Sequence, residues 1–467
     1  MAAAAGKGGR SWVATIENQA KDGDSTKELE LWRKHSIYRV PACIKELNPK
    51  AYRPQVVSFG PYHHGADELS AMEEHKHRAL RHLLRRANKP LEELADGMEE
   101  LLNPLQSSYQ GLGERWLGSG GGEEFLRLMV VDGCFLLEIL RLNVGKMADY
   151  AVDDPIFSNH GMLHTLPYIK RDMLIVENQL PLLVLEKLVA LETGKPANPD
   201  QINRLVLKLC SPESPPPIPG IGLALHPLDL YHRSLLQGPT NPPASNNLFP
   251  QFRSSSAPGG IIRSAVELYE AGIRFKTSRT NSLHDIRFHH GILSLPAVVV
   301  DDATQYAYLN LMAFERLHVG AGSQITSFVF FMDNIIDSAK DVALLHSKGI
   351  IQNALGSDKA VAKLFNSLSK DVTLDPDSCL DAVQRRVNTY CQKSWNKWRA
   401  NLIHTYFRSP WAFLSLAAAV FLLALSVAQT IYTVMPYYHN EENSPLSVPP
   451  PPPRMAPPPA FTPRRRP

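Results

Sequence analysis

The chain has 467 residues, of which 44% are hydrophobic and 20% charged, and its formal net charge is +3. That composition supports a folded core and excludes a fibrous or wholly disordered chain, with room for about two to three average domains or one large one. The balanced charge leaves no basic field for a phosphate backbone, so nucleic acid is not expected as a partner.

The five cysteines (Cys43, Cys134, Cys210, Cys379 and Cys391) are scattered, with no CxxC pair and no Cys/His cluster. This argues against a disulfide framework and a structural zinc site, and it fits a reducing compartment.

Residues 1–35 are rich in Ala, Gly and polar side chains and read as disordered, without the apolar stretch of a secretory signal. An α-rich domain is expected over residues 36–409. It opens with short strand-like pieces, Ile37 to Val40 and Val56 to Phe59, set among Pro41, Pro49, Pro54, Gly60, Pro61 and Gly65. Leu80, Leu83 and Leu84 then mark a basic amphipathic helix, and Phe125 to Leu140 a strongly apolar one. Residues 172–192 read as one more helix kinked at Pro181, with the amides of Asn178 and Gln179 beside the kink.

A stretch over 211–260, dense in Pro, Ser, Gly and Asn, reads as a mobile insertion with at most a short helical piece around Leu228 to Leu236. Helical spacing resumes at Ala265. Ile286 to Phe288, Leu293 to Leu295 and Val298 to Val300 look like strands of a small sheet. Met332, Ile335, Ile336, Ala339, Val342 and Ala343 make one helix face that stops at Gly349, and Ser357 is placed to cap the next helix.

From Trp411 to Tyr438 there is no Asp, Glu, Lys or Arg. A bilayer core needs roughly 20 apolar residues in a helix, so a transmembrane helix is expected over 410–434. Lys393, Lys397, Arg399 and Arg408 precede it and no Lys or Arg follows until Arg454, which puts the large domain in the cytosol by the positive-inside rule. Along this helix Ser415, Ala419, Leu422, Ser426, Gln429 and Thr433 fall on one mostly small and polar seam, a candidate surface for helix association. The tail over 435–467 is Pro-rich and reads as disordered polyproline, with Pro449, Pro452 and Arg454 in a PxxPxR arrangement.

No nucleophile elbow, P-loop, HExxH, EF-hand or kinase signature is present. His63/His64, His75/His77/His82 and His160/His164 are the histidine groups to weigh for a metal, and the bland reading, surface or locally hydrogen-bonded histidine, is preferred for each. The loop around Tyr62, His63 and His64 reads first as a packed rigid turn and second as a recognition loop. Asp132 and Glu138 are out of phase for an acid/base pair. No cofactor and no metal are expected.

Several motifs occur in order: Ile37-Tyr-Arg-Val-Pro41, Val57-Ser-Phe-Gly-Pro-Tyr-His-His-Gly65, Asp132-Gly-Cys-Phe-Leu-Leu-Glu138, Val176-Glu-Asn-Gln-Leu-Pro181 and Glu267-Leu-Tyr-Glu-Ala-Gly-Ile-Arg-Phe275, followed by Asn310-Leu-Met-Ala-Phe-Glu315, Phe331-Met-Asp-Asn-Ile-Ile-Asp337 and Gly356-Ser-Asp358. Together, over about residues 36–435, they resemble the plant-specific membrane family DUF-two-four-seven. The resemblance implies a largely helical body, a single C-terminal membrane helix, no catalytic residues to carry over, and a setting in recognition and reproductive signalling.

The expectation is therefore a mainly α protein: a large helical domain with a minor β element, plus one C-terminal transmembrane helix. Its function reads as a membrane-anchored, non-enzymatic protein–protein interaction or signalling component in plants, and the alternative is a membrane-tethered enzyme of unrecognised type. The expected partners are the lipid bilayer, either plasma membrane or an endomembrane, and a protein, with self-association through the membrane helix as one candidate.

Overall fold

Residues 36–65 enter the body as extended chain and tight turns, here termed the strap. Its prolines keep regular structure to a four-residue helix at Ala42–Lys45 and a 3-10 turn at Pro49–Tyr52. The computed structural model describes residues 12–13, 34–118, 120–145, 149–211, 220, 222–238, 262–370, 379–393 and 410–442. The expected disorder of residues 1–35 and the PxxPxR tail lie almost wholly outside them.

Helix α1 (Ser70–Ala87) follows and closes at Asn88, whose φ of 52° is the left-handed conformation that ends helices. Next come α2 (Leu91–Glu99), α3 (Leu102–Ser107) and α4 (Gly121–Asn143). Every residue of α4 from Met129 to Leu140 is buried, so this stretch is enclosed all round, with Asp132 and Glu138 as its charged members, and forms the axis of the core. It packs against α1, α2, α6 and α7.

Gly133 explains one of these approaches. A Cβ there would lie 2.5 Å from Cγ1 of Val184 and 2.7 Å from Cδ1 of Leu188, so only glycine lets α6 come this close.

The single kinked helix expected over 172–192 is instead two helices. α5 (Leu166–Met173) stops short of the proline, and α6 (Leu182–Thr193) starts after Pro181, which occupies the N-cap. A proline inside the helix would lose a hydrogen bond and clash with the carbonyl of Glu177, whereas at a helix start its missing N–H costs nothing. The intervening Val176–Leu180 segment is fully buried.

α7 (Pro199–Cys210) leads into the 211–260 region, where the reading as a mobile insertion is corrected in part. α8 (Pro227–Leu235) is a core helix, with Leu228, Asp229, Leu230 and His232 all buried. Residues 212–219 and 239–261 lie outside the described residues.

The small β element is present and larger than expected. After α9 (Ala265–Glu270) come β1 (Arg274–Thr277), β2 (Arg287–His289), β3 (Ile292–Leu295) and β4 (Val298–Val300). Strand β3 is central, parallel to β1 (Phe275 opposite Leu293) and antiparallel to β2 (Phe288 opposite Leu293).

After α10 (Thr304–Leu317), the single helix face expected across 332–343 is divided between α11 (Gln324–Ile335) and α12 (Ala339–Ser347). The break is a capping box: Ser338 and Asp341 satisfy each other's backbone amides, which starts a new helix. β5 (Ile351–Asn353) then pairs in parallel with β4, Val298 opposite Ile351. α13 (Asp358–Leu368) is capped by Ser357, as expected, and α14 (Cys379–Gln392) ends this unit's described part.

The chain divides into two compact units, Met1–Lys397 and Trp398–Pro467. In the second, α15 runs from Pro410 to Glu442, so residues 435–442, expected to begin the disordered tail, are helical. Its 23 residues from Phe413 to Met435 are long and apolar enough to cross a bilayer, and none of them is buried.

Candidate functional site

The polar residues of the sequence motifs converge on the strap. An extended buried segment must find partners for its amides and carbonyls, and the strap finds them in side chains rather than in a sheet. Asp172, at the end of α5, accepts from the amides of Gln55 (2.9 Å), Val56 (2.7 Å) and Val57 (3.0 Å) through Oδ2. Asn178 accepts from Phe59 N (2.7 Å) and donates to the carbonyls of Val57 (3.0 Å) and Asp172 (2.9 Å). Glu177 accepts from Val40 N (2.6 Å) and is paired with Lys45 at 2.7 Å. From α10, Asn310 donates to Ala51 O (2.9 Å) and accepts from Val176 N (2.9 Å).

Gln179 works the same way on the other side. Its amide donates to the carbonyls of Met173 and Ile175, both at 2.7 Å, and accepts from Leu228 N of α8 at 3.0 Å. The sequence placed these amides beside a backbone gap correctly. The gap is the turn between two helices, not a kink.

At the centre lies a buried ion cluster. Lys76 of α1 is fully buried, with Nζ 2.8 Å from Asp132 Oδ1, 2.7 Å from Glu73 Oε1 and 3.1 Å from Ser58 Oγ. Asp132 is also fully buried, and its Oδ2 accepts from Gly60 N at 2.8 Å. Burial works to strip the Lys76 proton, but the Asp132 and Glu73 carboxylates outweigh it and hold the ammonium above the ordinary lysine value. Lys76 is thus a fixed cation with its donors engaged, not a nucleophile.

Gly60 sits against this cluster with φ +72°, where a Cβ would lie 2.7 Å from Gln179 O and 2.8 Å from Tyr109 Oη. A second ion cluster surrounds Glu138, which takes Arg86, Arg141 (3.3 Å) and the Tyr150 hydroxyl (3.0 Å). Asp132 and Glu138 each have their own cations and do not face one another, in keeping with their helical phase.

Of the residues singled out from sequence, Tyr62 donates to the carbonyl of Gln110 and packs edge-on against Tyr109, with Arg39 4.4 Å above its ring. His63 Nε2 lies 3.6 Å from Glu177, and His64 packs edge-on against Trp116. Gly60 and Pro61 are buried, Tyr62, His63 and His64 are half-buried, and Gly65 is exposed.

His160 and His164 share a short helix, Asn159–His164. Their rings are 4.5 Å apart. His82 stacks on Tyr150 and meets Asp149 at 3.2 Å. Among the described residues no three His, Cys, Asp or Glu side chains are grouped to hold a metal.

Burial raises the Cys134 thiol well beyond its usual range and the Cys210 thiol to about 12, so both behave as core residues. Ser415, Ala419, Leu422, Ser426 and Gln429 lie on α15, each exposed, in the unit apart from the strap cluster. Pro449, Pro452 and Arg454 lie outside the described residues.

Sequence reasoning missed Lys76, Asp172 and His226, and quoted Asn310 and Glu315 as the ends of a motif without assigning them a role. A signal existed for Lys76, which occupies the same helix face as Met72, Ala79, Leu80 and Leu83. A charge on an apolar stripe signals a buried partner. Glu315 caps α11 from outside, accepting from Ile325 N and Thr326 N at 2.8 Å each, and nothing local in sequence announces that contact.

A family model described as plant protein of unknown function, DUF247, matches residues 37–425. A UPF0481 protein of Arabidopsis thaliana is 31% identical over 435 residues, covering 87% of this chain and 88% of its own length. A second, putative UPF0481 protein of the same plant is 24% identical over 481 residues, covering 84% and 88%. No solved structure matches. The matched residues begin with the strap and run through its clamping side chains into the apolar helix, and on that breadth the chain belongs to the plant family of unknown function DUF247.

Proposed function

We propose that this protein is a bilayer-anchored, non-catalytic interaction component that holds a rigid helical body at a membrane surface and works through protein–protein contact. The observation that carries the reading is the 23-residue apolar span from Phe413 to Met435, exposed along its whole length. A helix of this kind left in water would expose far more contiguous apolar surface than soluble proteins tolerate.

The buried polar side chains around the strap support the non-catalytic half of the reading. Asp132, Asp172, Asn178, Gln179, Asn310 and Lys76 direct their polar atoms at backbone or at each other. Catalysis needs a base or nucleophile free to meet a substrate. The setting implied by the family resemblance is recognition signalling in plants, and the basic residues ahead of the span, Lys393, Lys397, Arg399 and Arg408, favour a cytosolic body.

The test is protease protection of sealed membranes carrying the full chain with a tag at each end. The expected result is resistance to alkaline extraction, a cleaved N-terminal body and a shielded C-terminal tag. Release by alkaline carbonate would overturn the anchor, and a shielded body would overturn the orientation.

A further inference from the structure

α8 is fastened at its N-terminus by a histidine. His226 is fully buried, and both of its ring nitrogens are engaged. Nε2 lies 2.9 Å from Ser36 O of the strap, and a carbonyl can only accept, so Nε2 carries the proton. Nδ1 lies 3.2 Å from Asp229 N, and a backbone amide can only donate, so Nδ1 is bare and serves as the helix N-cap acceptor. The fold therefore requires the neutral ring in one tautomer. A second proton has only Nδ1 to go to, where it would point at an N–H.

We propose that His226 is a proton-operated latch: its neutral ring fastens α8 to the strap, and protonation at Nδ1 releases the helix and uncovers the surface beneath it.

The charged and titratable groups facing the ring come from each neighbouring element. From α8 itself, Asp229 and Arg233 form an ion pair at 2.8 Å. From beyond α10, His318 faces it, bonded at 2.9 Å to the Tyr38 hydroxyl of the strap. The strap adds Ser36 O, and Phe314 of α10 meets the ring edge-on at 5.2 Å. His232, further along α8, is 2.9 Å from Glu315.

Burial lowers His226 to about 4, against a partial pull upward from Asp229, with His318 and Arg233 adding to the fall. The sign follows from linkage. The released ring takes up a proton near its ordinary value of about 6.5, well above the docked ring, so docking is fully supported above that value and weakens as pH falls. Each pH unit below it shifts the balance about tenfold toward release, down to the docked value.

Release would expose specific groups. Leu228 N leaves Gln179 Oε1, and Leu225 O leaves Leu182 N, which it meets at 2.9 Å. These are the groups at the start of α6, beside the strap clamp. Acid would therefore loosen one short helix of nine residues while α4, packed on every side, stays closed.

The experiment is hydrogen exchange of the full-length chain in detergent micelles from about pH 7 to about pH 4.5, corrected for intrinsic rates. The expected result is about 100-fold loss of protection in α8 across that range with α4 unchanged, and no such loss in His226→Asn. Asparagine still accepts the Asp229 amide but does not titrate in this range. The proposal is overturned if α8 keeps its protection, if α4 loses protection in step with it, or if His226→Asn shows the wild-type slope. Should the variant fail to fold, the wild-type comparison of α8 with α4 still decides the matter.

Discussion

Removing the Lys76 charge is the sharpest perturbation of the body. In Lys76→Met the Asp132 carboxylate stays fully buried and keeps Gly60 N as its hydrogen-bond donor. Breaking a buried pair from one side costs about 3–5 kcal/mol, because the remaining charge has no counterion and no water. Asp132→Asn is milder, about 1–3 kcal/mol, since Lys76 retains Glu73 at 2.7 Å and that carboxylate is partly solvated. In the double variant no charge remains at position 132, and the asparagine oxygen still accepts from Gly60 N. The double variant is therefore expected to be more stable than Lys76→Met alone, with a coupling energy of about 2–3 kcal/mol. The assay is denaturant unfolding of the full-length protein in micelles, followed by tryptophan fluorescence, for which the buried Trp116 is a reporter. A double variant whose loss equals the sum of the two singles would refute the account of a coupled buried pair.

Gly60→Ala should destabilise by about 2 kcal/mol or more, since it combines a left-handed φ with a Cβ 2.7 Å from Gln179 O. Unfolding midpoints would reveal this, and a neutral result would mean the strap can shift. On α15, Ser426→Leu with Gln429→Leu is expected to weaken helix self-association by about 0.5–2 kcal/mol in a membrane two-hybrid reporter, and an unchanged signal would remove the seam as an interface.

Helices with a clear apolar period, such as α4 and α13, were readable because burial imprints itself on spacing. What escaped was set by contacts distant in sequence. β1 looks like the continuation of α9, because Leu268, Ala271 and Phe275 keep helical spacing, and only β3, pairing Leu293 with Phe275, makes the segment a strand. β5 is three residues long and has no period to detect. α8 was read as a short helical piece, but its place in the core was hidden by the Pro- and Ser-rich flanks, which made its surroundings look like an insertion.

The site was half legible. Asn178 and Gln179 were noticed because they stand beside Pro181, although the carbonyls they satisfy are those of Val57, Asp172, Met173 and Ile175 rather than the one a proline kink would free. Asp172 and Asn310 carried no such mark, because what they satisfy is the strap, and nothing near them in the chain says that it passes there. His226 was invisible for the same reason, its partner Ser36 being 190 residues away.

The strap also sets the order in which this chain can be completed during synthesis. Gly60 waits for Asp132, 72 residues later, Phe59 for Asn178, 119 residues later, and Ala51 for Asn310, 259 residues later. At about 5–20 residues per second, the last of these partners is made roughly 10–50 s after the segment it must hold. Until then the strap is held only in part, first at Gly60 and then at Phe59, while Ala51 O still lacks its donor. The first-made part of the body is thus the last to be fully secured.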